Sequence, residues 1–552
     1  MISTRSFSPF HLWTLPLRMV SALTLASLCT LPAVLAQNPH DDTPTVLTNP
    51  EVSFGDGAAS SISVKGMRKG QTDGPKDTKP LRLAPGTKSG KPGGGSSADG
   101  ALQNTTFTSS GTIAPGLNFE GVGAGFPGFT VNSAPPDTNG AVGATQYVQW
   151  VNESFAVFDK ATGATLSGPV QGNQLFQALG TSHPCAVNND GDPIAQYDKA
   201  NNRWVLTQFS VTNGSTSGYY QCVAVSKTSD ATGAYSVYAY KEPNFNDYPK
   251  VGVYSGNYFI TYNIFNGNTF AGARVCAYDG NAMRGGTAAA EQCFQLSTSY
   301  AALLPADVDG TIAPPSGSSE YFVNFGANVL RTWRMHVDFT TSANTTFSGP
   351  YSTTVANFSE ACSGGTCIPQ PNTRQQLDSL ADRLMYRLAY RHFTDGHESL
   401  FVNHSVNPGA AVAGDRWYEL RPTTGGTTGV AVYQQSTYAP ADGLNRWLGS
   451  IAADKNGNIA LGYSTSSSTA YPSIHYVYRT PGDPLNRIGS EQTLFTGTGA
   501  QQSTLSRWGD YSAMTVDPVD DCTFWFTTEY LTTNGTFNWH TRIGNFKVAG
   551  CQ

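Results

Sequence analysis

The chain repeats a simple pattern of hydrophobic and polar positions. An apolar run is followed by a short polar turn that begins with aspartate, and a second apolar run follows, as at Asp159, Asp198, Asp454 and Asp517. This pattern is typical of β-hairpins. It recurs in about seven units, near 117–170, 184–243, 244–299, 303–356, 377–438, 441–496 and 505–548. It therefore predicts an all-β protein, a β-propeller of about seven four-stranded blades.

Composition agrees with this prediction. The 552 residues include 58 Gly and 32 Pro, and only 13% of the residues are charged. Such a chain favours strands and turns over helices. All-β repeat folds often exceed the usual domain size, so we expect one large domain over residues 116–552.

The first 115 residues differ from the repeats. Arg5 and Arg18 precede an apolar stretch at 19–31, and small residues at 34–36 end it, so residues 1–36 are predicted to be a signal peptide. Residues 37–115 are rich in Gly, Ser, Thr, Pro and Lys and are predicted to form a low-complexity, flexible tail. We therefore expect a secreted or periplasmic protein with no membrane span after signal cleavage.

Charge and cysteine content narrow the class of protein. Residues 116–552 carry 23 basic and 32 acidic side chains, which argues against a nucleic-acid partner. We expect a monomer that binds an extracellular polysaccharide or glycoconjugate.

Beyond Cys29 of the signal peptide, the chain has eight cysteines, and an even number in an exported chain favours disulfides. Sequence does not fix their connectivity, but neighbouring pairs would each link one repeat: Cys185–Cys222, Cys276–Cys293, Cys362–Cys367 and Cys522–Cys551.

The candidate functional residues come just before the first apolar run of several units. A propeller blade begins with its innermost strand, so residues leading into these strands converge at one mouth of the central channel. The acidic members are candidates for general acid–base catalysis: Asp190, Asp192, Asp247, Asp382 and Asp510. The others are candidates for ligand binding: Asp137, Arg383, Arg387, Arg446, Arg507, Tyr248 and Tyr511.

Each of these residues also has a structural interpretation. An aspartate before Gly or Pro commonly stabilises a turn through hydrogen bonds to its own backbone. The arginines either hold the aspartates in ion pairs between blades or bind an anionic sugar.

No cofactor is indicated by a complete motif. Calcium is the candidate ion, because closely spaced carboxylates suit a hard cation at Asp190 and Asp192 or at Asp307 and Asp309. The histidines are scattered and no CxxC pair occurs, which disfavours zinc.

Four segments resemble those of a family of secreted bacterial β-propeller proteins of unassigned activity. They are 135–143 (Pro-Pro-Asp-Thr-Asn-Gly-Ala-Val-Gly), 190–198, 246–253 and 507–518 (beginning Arg-Trp-Gly-Asp-Tyr-Ser). A looser similarity is to sialidase-like propellers, whose Asp-led hairpins share an aspartate and an aromatic residue with 198–204 and 517–525. The resemblance implies a propeller fold and assigns no catalytic residue.

Two hypotheses for function follow. One is a carbohydrate-active enzyme, a glycoside hydrolase or polysaccharide lyase with its site at the channel mouth. The other is a non-catalytic extracellular propeller for binding or adhesion. Fold by itself does not distinguish them.

Overall fold

The computed structural model describes residues 42–59, 62–70, 76–80, 82, 98–409, 412–423 and 429–552. Residues 37–552 form one compact unit. The predicted signal peptide at 1–36 and the Gly/Ser-rich stretch at 88–97 lie outside the described residues.

Antiparallel meanders of four strands build this unit, and consecutive strands pair as neighbours. The first sheet contains Asn139–Val142, Gln146–Val151, Ser154–Asp159 and Thr165–Gln171. The second contains Ile194–Asp198, Arg203–Ser210, Tyr219–Ser226 and Tyr235–Glu242. The third contains Phe245–Tyr254, Asn257–Asn266, Thr269–Tyr278 and Ala290–Gln295. The fourth contains Leu304–Asp309, Glu320–Gly326, Val329–His336 and Thr346–Thr354.

The remaining sheets follow the same order. The fifth contains Met385–His392, Glu398–Val406, Gly414–Pro422 and Val430–Tyr438. The sixth contains Asn445–Ala453, Ile459–Ser466, Ser473–Arg479 and Gly489–Phe495. The seventh contains Ala513–Val516, Thr523–Tyr530 and His540–Val548, and Ile113–Glu120 from the beginning of the domain adds its outer strand.

The first strand of each sheet lies beside the first strand of the next, and that of the seventh lies beside that of the first. These inner strands therefore form a closed ring. In the ring, Leu304–Asp309 and Met385–His392 also pair in parallel, with Ala306 opposite Leu388. The arrangement is propeller-like, as expected for meandering sheets placed around a common axis.

Part of the N-terminal region differs from the expected flexible tail. Within the described residues, Thr45–Thr48, Glu51–Phe54 and Asp56–Ala59 each add an antiparallel outer strand, to the fourth, third and second sheets respectively. Leu102–Gln103 pairs in parallel with the outer strand of the fifth sheet. The reason is that an exposed sheet edge offers unpaired backbone groups, which even a polar segment satisfies.

Short elements complete the described structure. Asp77–Thr78 pairs with Ser133–Ala134, and Thr366–Ile368 pairs with Leu377–Asp378. The α-helices are single turns at Pro184–Val187, Gly214–Ser217 and Gly280–Gly285. The 3-10 turns lie at Val64–Gly66, Gly172–Leu179, Ser342–Asn344 and Ala361–Gly364. Among the described residues, no helix has the length and hydropathy needed to cross a membrane.

Aromatic packing and disulfides stabilise the sheets. Eight tryptophans are buried, and such large rings fill the core of the sheets: Trp150, Trp204, Trp333, Trp417, Trp447, Trp508, Trp525 and Trp539. The four predicted disulfides are confirmed: Cys185–Cys222, Cys276–Cys293, Cys362–Cys367 and Cys522–Cys551. An oxidising compartment is where such bonds persist.

Candidate functional site

Most of the predicted residues meet where the inner strands begin. Asp190, Asp192, Asp247, Arg383, Arg507 and Asp510 line one cavity of about 170 Å³. We call this cavity the mouth site. The main-chain N–H of Asp510 donates a 2.8 Å hydrogen bond to Asp137, and Asp382 pairs with Arg383, so these two aspartates lie beside the cavity.

The backbone explains how these side chains reach the mouth. Asp137 and Asp192 each stand two residues before an inner strand with φ of 47°. Tyr248 has φ of 55° at a register shift between Asp247 and Lys250. This left-handed conformation turns the chain sharply, and aspartate tolerates it better than most residues. A tyrosine with positive φ is uncommon, and such strained positions often mark functional sites.

Two arginines hold the carboxylates. Arg507 donates hydrogen bonds to Asp378 and to Asp510. Arg383 donates from Nε to Asp382 Oδ1 over 2.9 Å, and its guanidinium lies 4.4 Å from the ring centre of Tyr248. Both arginines are thus fixed by ion pairs or stacking. Arg507–Asp378 joins residues that lead into different sheets, whereas the pairs with Asp382 and Asp510 are local in sequence.

A segment from the N-terminal region crosses the mouth site. We call its described residues, 76–80 and 82, the strap. Arg507 Nε donates to the carbonyl oxygen of Lys79 over 3.1 Å, and Arg383 Nη2 donates to that of Arg82 over 2.6 Å. Arg82 itself lies 4.4 Å from the ring centre of Phe245. The strap therefore supplies further acceptors to the same two arginines that hold the carboxylates of the mouth site.

The carboxyl groups of the mouth site differ in acidity. Burial would raise the pKa of Asp510, but Arg507 and Arg383 outweigh it and lower that pKa. Burial and neighbouring Asp192 raise the pKa of Asp247 to about 7, against the opposing effect of Arg82 and Arg383. The Asp247 carboxyl has no hydrogen bond or ion pair within the described part of the chain. Near neutral pH the site thus holds an ionised aspartate and a protonatable one.

Two further aspartates of the cluster are also hard to ionise. Burial and the charge of Asp510 raise the pKa of Asp137 well above its usual value. Burial likewise raises the pKa of Asp192, although Lys250 opposes it. Several carboxyls at close range cannot all be charged, because like charges disfavour ionisation.

Lys250 is a buried cation below the mouth. Its Nζ lies 3.4 Å from the ring centre of Tyr248 and 4.2 Å from that of Tyr511, and it donates to the carbonyl of Pro249 over 2.9 Å. Burial lowers the pKa of Lys250 to about 8, although Asp192 and Asp510 oppose this change. Tyr511 donates to the carbonyl of Pro193 over 2.9 Å, which fixes its ring.

Sequence reasoning missed several of these groups. Lys250, Asp378 and Glu529 were not among the predicted site residues. Glu529 is buried, and its Oε2 has no hydrogen-bond partner among the described residues. Burial raises its pKa well above the usual range, and Asp137 adds to the effect. Lys250 stands two residues after Tyr248, so the sequence pattern that predicted Tyr248 could also have predicted Lys250. Glu529 lies in the second strand of its sheet, and no local sequence pattern marks it.

Two predicted ligand-binding arginines lie elsewhere. Arg387 is buried and pairs with Asp307 over 2.7 Å and with Asp309 over 2.5 Å. Arg446 donates to Asp442 and Glu491, 2.6 and 2.7 Å away, at its own sheet. Arg387 lies within its inner strand, and Arg446 is held by Asp442 and by Glu491 of the outer strand of its sheet. Neither arginine lines the mouth cavity.

The carboxylates suggested for calcium have protein partners. Asp307 and Asp309 are bound by Arg387, and Asp309 also pairs with Lys199 over 2.9 Å. Asp190 accepts from the main-chain N–H groups of Val211 and Thr212, and Asp192 accepts from that of Tyr248. Within the described residues, the one compact group of potential metal ligands is Cys276, Glu291 and Cys293, and its sulfurs form a disulfide.

Comparison with solved structures finds distant similarity. The GH93 α-L-arabinofuranosidase of Fusarium graminearum is 9% identical, with a TM-score of 0.34, over 78% of this chain and 98% of that one. A PL25 ulvan lyase is 12% identical, with a TM-score of 0.33, over 77% and 97%. The WD40 domain of SCAP from fission yeast is 9% identical, with a TM-score of 0.31, over 72% and 81%. These scores are too low to assign an activity, and the three proteins differ in function.

No family model and no curated protein matches the sequence of this chain.

Proposed function

We propose that this protein is a secreted, seven-bladed β-propeller that hydrolyses glycosidic bonds of extracellular glycans at the mouth site. One observation carries the proposal: Asp247 and Asp510 line the same cavity, and their pKa values are displaced in opposite directions. Glycoside hydrolysis needs such a pair, with one carboxylic acid and one carboxylate. The four disulfides agree with an extracellular or periplasmic location.

Each aspartate has a defined role in this proposal. Asp247 keeps its proton near neutral pH and donates it to the glycosidic oxygen of the leaving group. Asp510 stays ionised beside Arg507 and acts on the other side of the bond, as a base for water or as a nucleophile. Asp192 and Lys250 set the electrostatic field around them.

The size and chemistry of the cavity favour a short, uncharged portion of a glycan. Its volume of about 170 Å³ is below that of most drug-sized ligand pockets. Arg383 and Arg507 are already paired with carboxylates, so neither is available as a clamp for an acidic sugar. Elimination by a lyase uses a uronate substrate whose charge must be neutralised, and hydrolysis fits these paired arginines better.

A direct test is sugar release from a panel of neutral polysaccharides by the purified protein. We expect release by the wild type and at least a hundredfold slower release by Asp247→Asn and Asp510→Asn. Asp338→Asn is the matched control, because Asp338 lies in an exposed turn of the fourth sheet. Equal rates for Asp247→Asn, Asp510→Asn and wild type, with unchanged melting temperatures, would exclude this role for the pair.

A non-catalytic binding propeller is the second candidate, and the strap favours it. Its carbonyl oxygens already occupy Arg383 and Arg507, so the cavity is partly filled by the chain itself. In that case the mouth would serve to anchor the strap rather than to turn over substrate. Glycan binding without release of sugar, unaffected by Asp247→Asn, would support this second function.

A further inference from the structure

A second cavity lies at the other end of the sheets. It occupies about 460 Å³ and shares no lining residue with the mouth site. Its walls come from the turn that follows inner strand Met385–His392, the turn that follows inner strand Asn445–Ala453, and the hairpin after Ser473–Arg479. Because the mouth site lies where inner strands begin, this cavity lies at the opposite end. We call it the far cavity.

Both carboxylates that line the far cavity have partners within it. Arg421 donates to Glu419 Oε1 over 2.8 Å from both Nε and Nη2. Glu419 also accepts from Ser399 and Gln434, so its oxygens are satisfied. Asp395 pairs with Nδ1 of His397 over 2.5 Å. Glu419 is thus paired with a cation, Arg421, whereas Asp395 contacts a histidine.

Two other cations of the far cavity lie outside these pairs. Arg479 is 3% exposed and donates to the main-chain carbonyls of Asp483 and Arg487 over 2.9 and 3.1 Å. Lys455 donates to the carbonyl of Asp520 over 3.0 Å. Within the described residues, neither side chain has a carboxylate within ion-pair distance. The lining of the far cavity thus holds more cations than carboxylates, in a chain whose net charge is −6: Arg421, Lys455 and Arg479 against Asp395 and Glu419.

Aromatic rings form the apolar side of the same cavity. Tyr433 is 43% exposed, and the Arg421 guanidinium covers one face of its ring at 3.4 Å from the centre. Phe393 and His397 stack with ring centres 4.3 Å apart and planes at 12°. Aromatic rings beside hydrogen-bond donors are suited to a ligand with one apolar face and a polar edge, such as a sugar ring.

We infer that the far cavity binds a single sugar residue that carries an anionic substituent, a carboxylate or a sulfate. Arg479 and Lys455 bind the anionic group, and Tyr433 packs against the ring. Arginine is well suited to this task because its planar group presents several donors to an oxyanion. This inference does not depend on catalysis at the mouth site.

Isothermal titration of the full chain tests it with three probes of equal length: an oligogalacturonate, a sulfated galactan oligosaccharide and a neutral galactan oligosaccharide. We expect at least one anionic probe to bind at least tenfold more tightly than the neutral one, and its affinity to fall as salt is added. The two anionic probes distinguish carboxylate from sulfate. Equal affinity for all three, or binding of none, overturns the inference.

Variants locate the binding. We expect Lys455→Gln and Arg479→Gln each to weaken the anionic probe about tenfold or more, as loss of a charge-assisted hydrogen bond predicts. Tyr433→Ala should weaken all binding at this cavity. Lys69→Gln is the matched control because Lys69 is exposed and distant in sequence.

Separate controls distinguish loss of binding at the far cavity from loss of folding and from binding at the mouth site. Arg479 is buried, so its variant is interpreted only if the melting temperature is retained, whereas Lys455 and Tyr433 are more accessible and keep the test decisive. Binding that is unchanged in Lys455→Gln and Tyr433→Ala but lost in Asp510→Asn would place the ligand at the mouth and refute the inference.

Discussion

Asp137 Oδ1 accepts a 2.8 Å hydrogen bond from the main-chain N–H of Asp510, although the two residues are 373 positions apart. Asp137 leads into the first sheet and Asp510 leads into the seventh. The bond therefore joins the two ends of the ring of inner strands at the mouth site. The other carboxyl oxygen of Asp137 is buried and has no hydrogen-bond partner in the part of the chain that the structure describes. Burial raises the pKa of Asp137 well above its usual value.

This arrangement predicts a difference between two substitutions of Asp137. Asparagine keeps the acceptor oxygen and tolerates positive φ, so we expect Asp137→Asn to change the free energy of unfolding by less than about 1 kcal/mol. Alanine loses the hydrogen bond and is strained at φ of 47°, so we expect Asp137→Ala to cost about 2–4 kcal/mol. Denaturant unfolding measures both, and equal losses would show that the bond does not support the fold.

The raised pKa of Asp247 predicts a basic limb in the pH profile of glycan hydrolysis. A general acid works only while protonated, so we expect kcat/KM to fall as pH rises through about 7. The matched measurement is Asp247→Asn, whose residual rate should lack this limb. If the basic limb persists unchanged in Asp247→Asn, another group is responsible for it.

The same residue predicts a pH dependence of stability. Asp247 holds its proton more tightly in the folded state than in the unfolded chain, so its contribution is fully present below about pH 4 and is lost as pH rises through about 7. We therefore expect the free energy of unfolding of the wild type to fall relative to that of Asp247→Asn as pH rises from about 4 to about 7. Chemical unfolding at several pH values measures it, and a flat difference would contradict the shift.

The charge of Lys250 is predicted to affect the acidic limb of the same pH profile, where Asp510 becomes protonated. Its positive charge helps to lower the pKa of Asp510 and opposes the rise in that of Asp192. Lys250→Met keeps a similar length but removes the charge, so we expect the acidic limb of kcat/KM to move toward neutral pH. Lys69→Met should leave the profile unchanged. An unchanged limb in Lys250→Met would mean that another group governs it.

We predict that the strap limits access to the mouth site, because side-chain contacts of the strap hold it there. Lys79 pairs with Glu153 over 3.5 Å, and Arg82 stacks on Phe245. In the Lys79→Ala, Arg82→Ala double variant we expect faster amide exchange at 76–80 and a lower KM for glycan. Lys69→Ala is the control on the same N-terminal region. Unchanged exchange and KM would show that these side chains do not hold the strap.

The four disulfides predict an order of stabilisation. Cys185–Cys222 closes a separation of 37 residues and Cys362–Cys367 one of 5. Chain entropy then gives about 4 kcal/mol for the longer loop and about 2 kcal/mol for the shorter. Paired Cys→Ala variants measured by thermal unfolding test this order. A larger loss from removing Cys362–Cys367 would mean that native contacts, rather than chain entropy, dominate.

Local pattern determined much of the architecture. The Asp-led hairpins are confirmed: Asp198, Asp454 and Asp517 each accept hydrogen bonds from their own turns. The disulfide pairs were also predictable, because neighbouring cysteines fall within one repeat or its edge. Both signals are local, since turn chemistry and alternating hydrophobicity act over a few residues.

The candidate site was predictable only in part. Position at the beginning of an inner strand brought Asp247, Arg383 and Asp510 together, because a ring of blades carries equivalent positions to one mouth. The same rule placed Arg387 and Arg446 at the mouth, where they do not lie. Their direction depends on which residues face them across the sheet, and Asp307 and Glu491 are far from them in sequence.

The sequence by itself thus determined the all-β class and the hairpins, and it indicated the cysteine pairs and most members of the acidic cluster. Tertiary structure decided which aspartate is protonated, which arginines are already paired, and that the strap crosses the mouth. It also brought together the far cavity from two neighbouring sheets. The physical reason is that pKa values and ion pairs depend on burial and on charges a few ångströms away, and residues separated by hundreds of positions supply both.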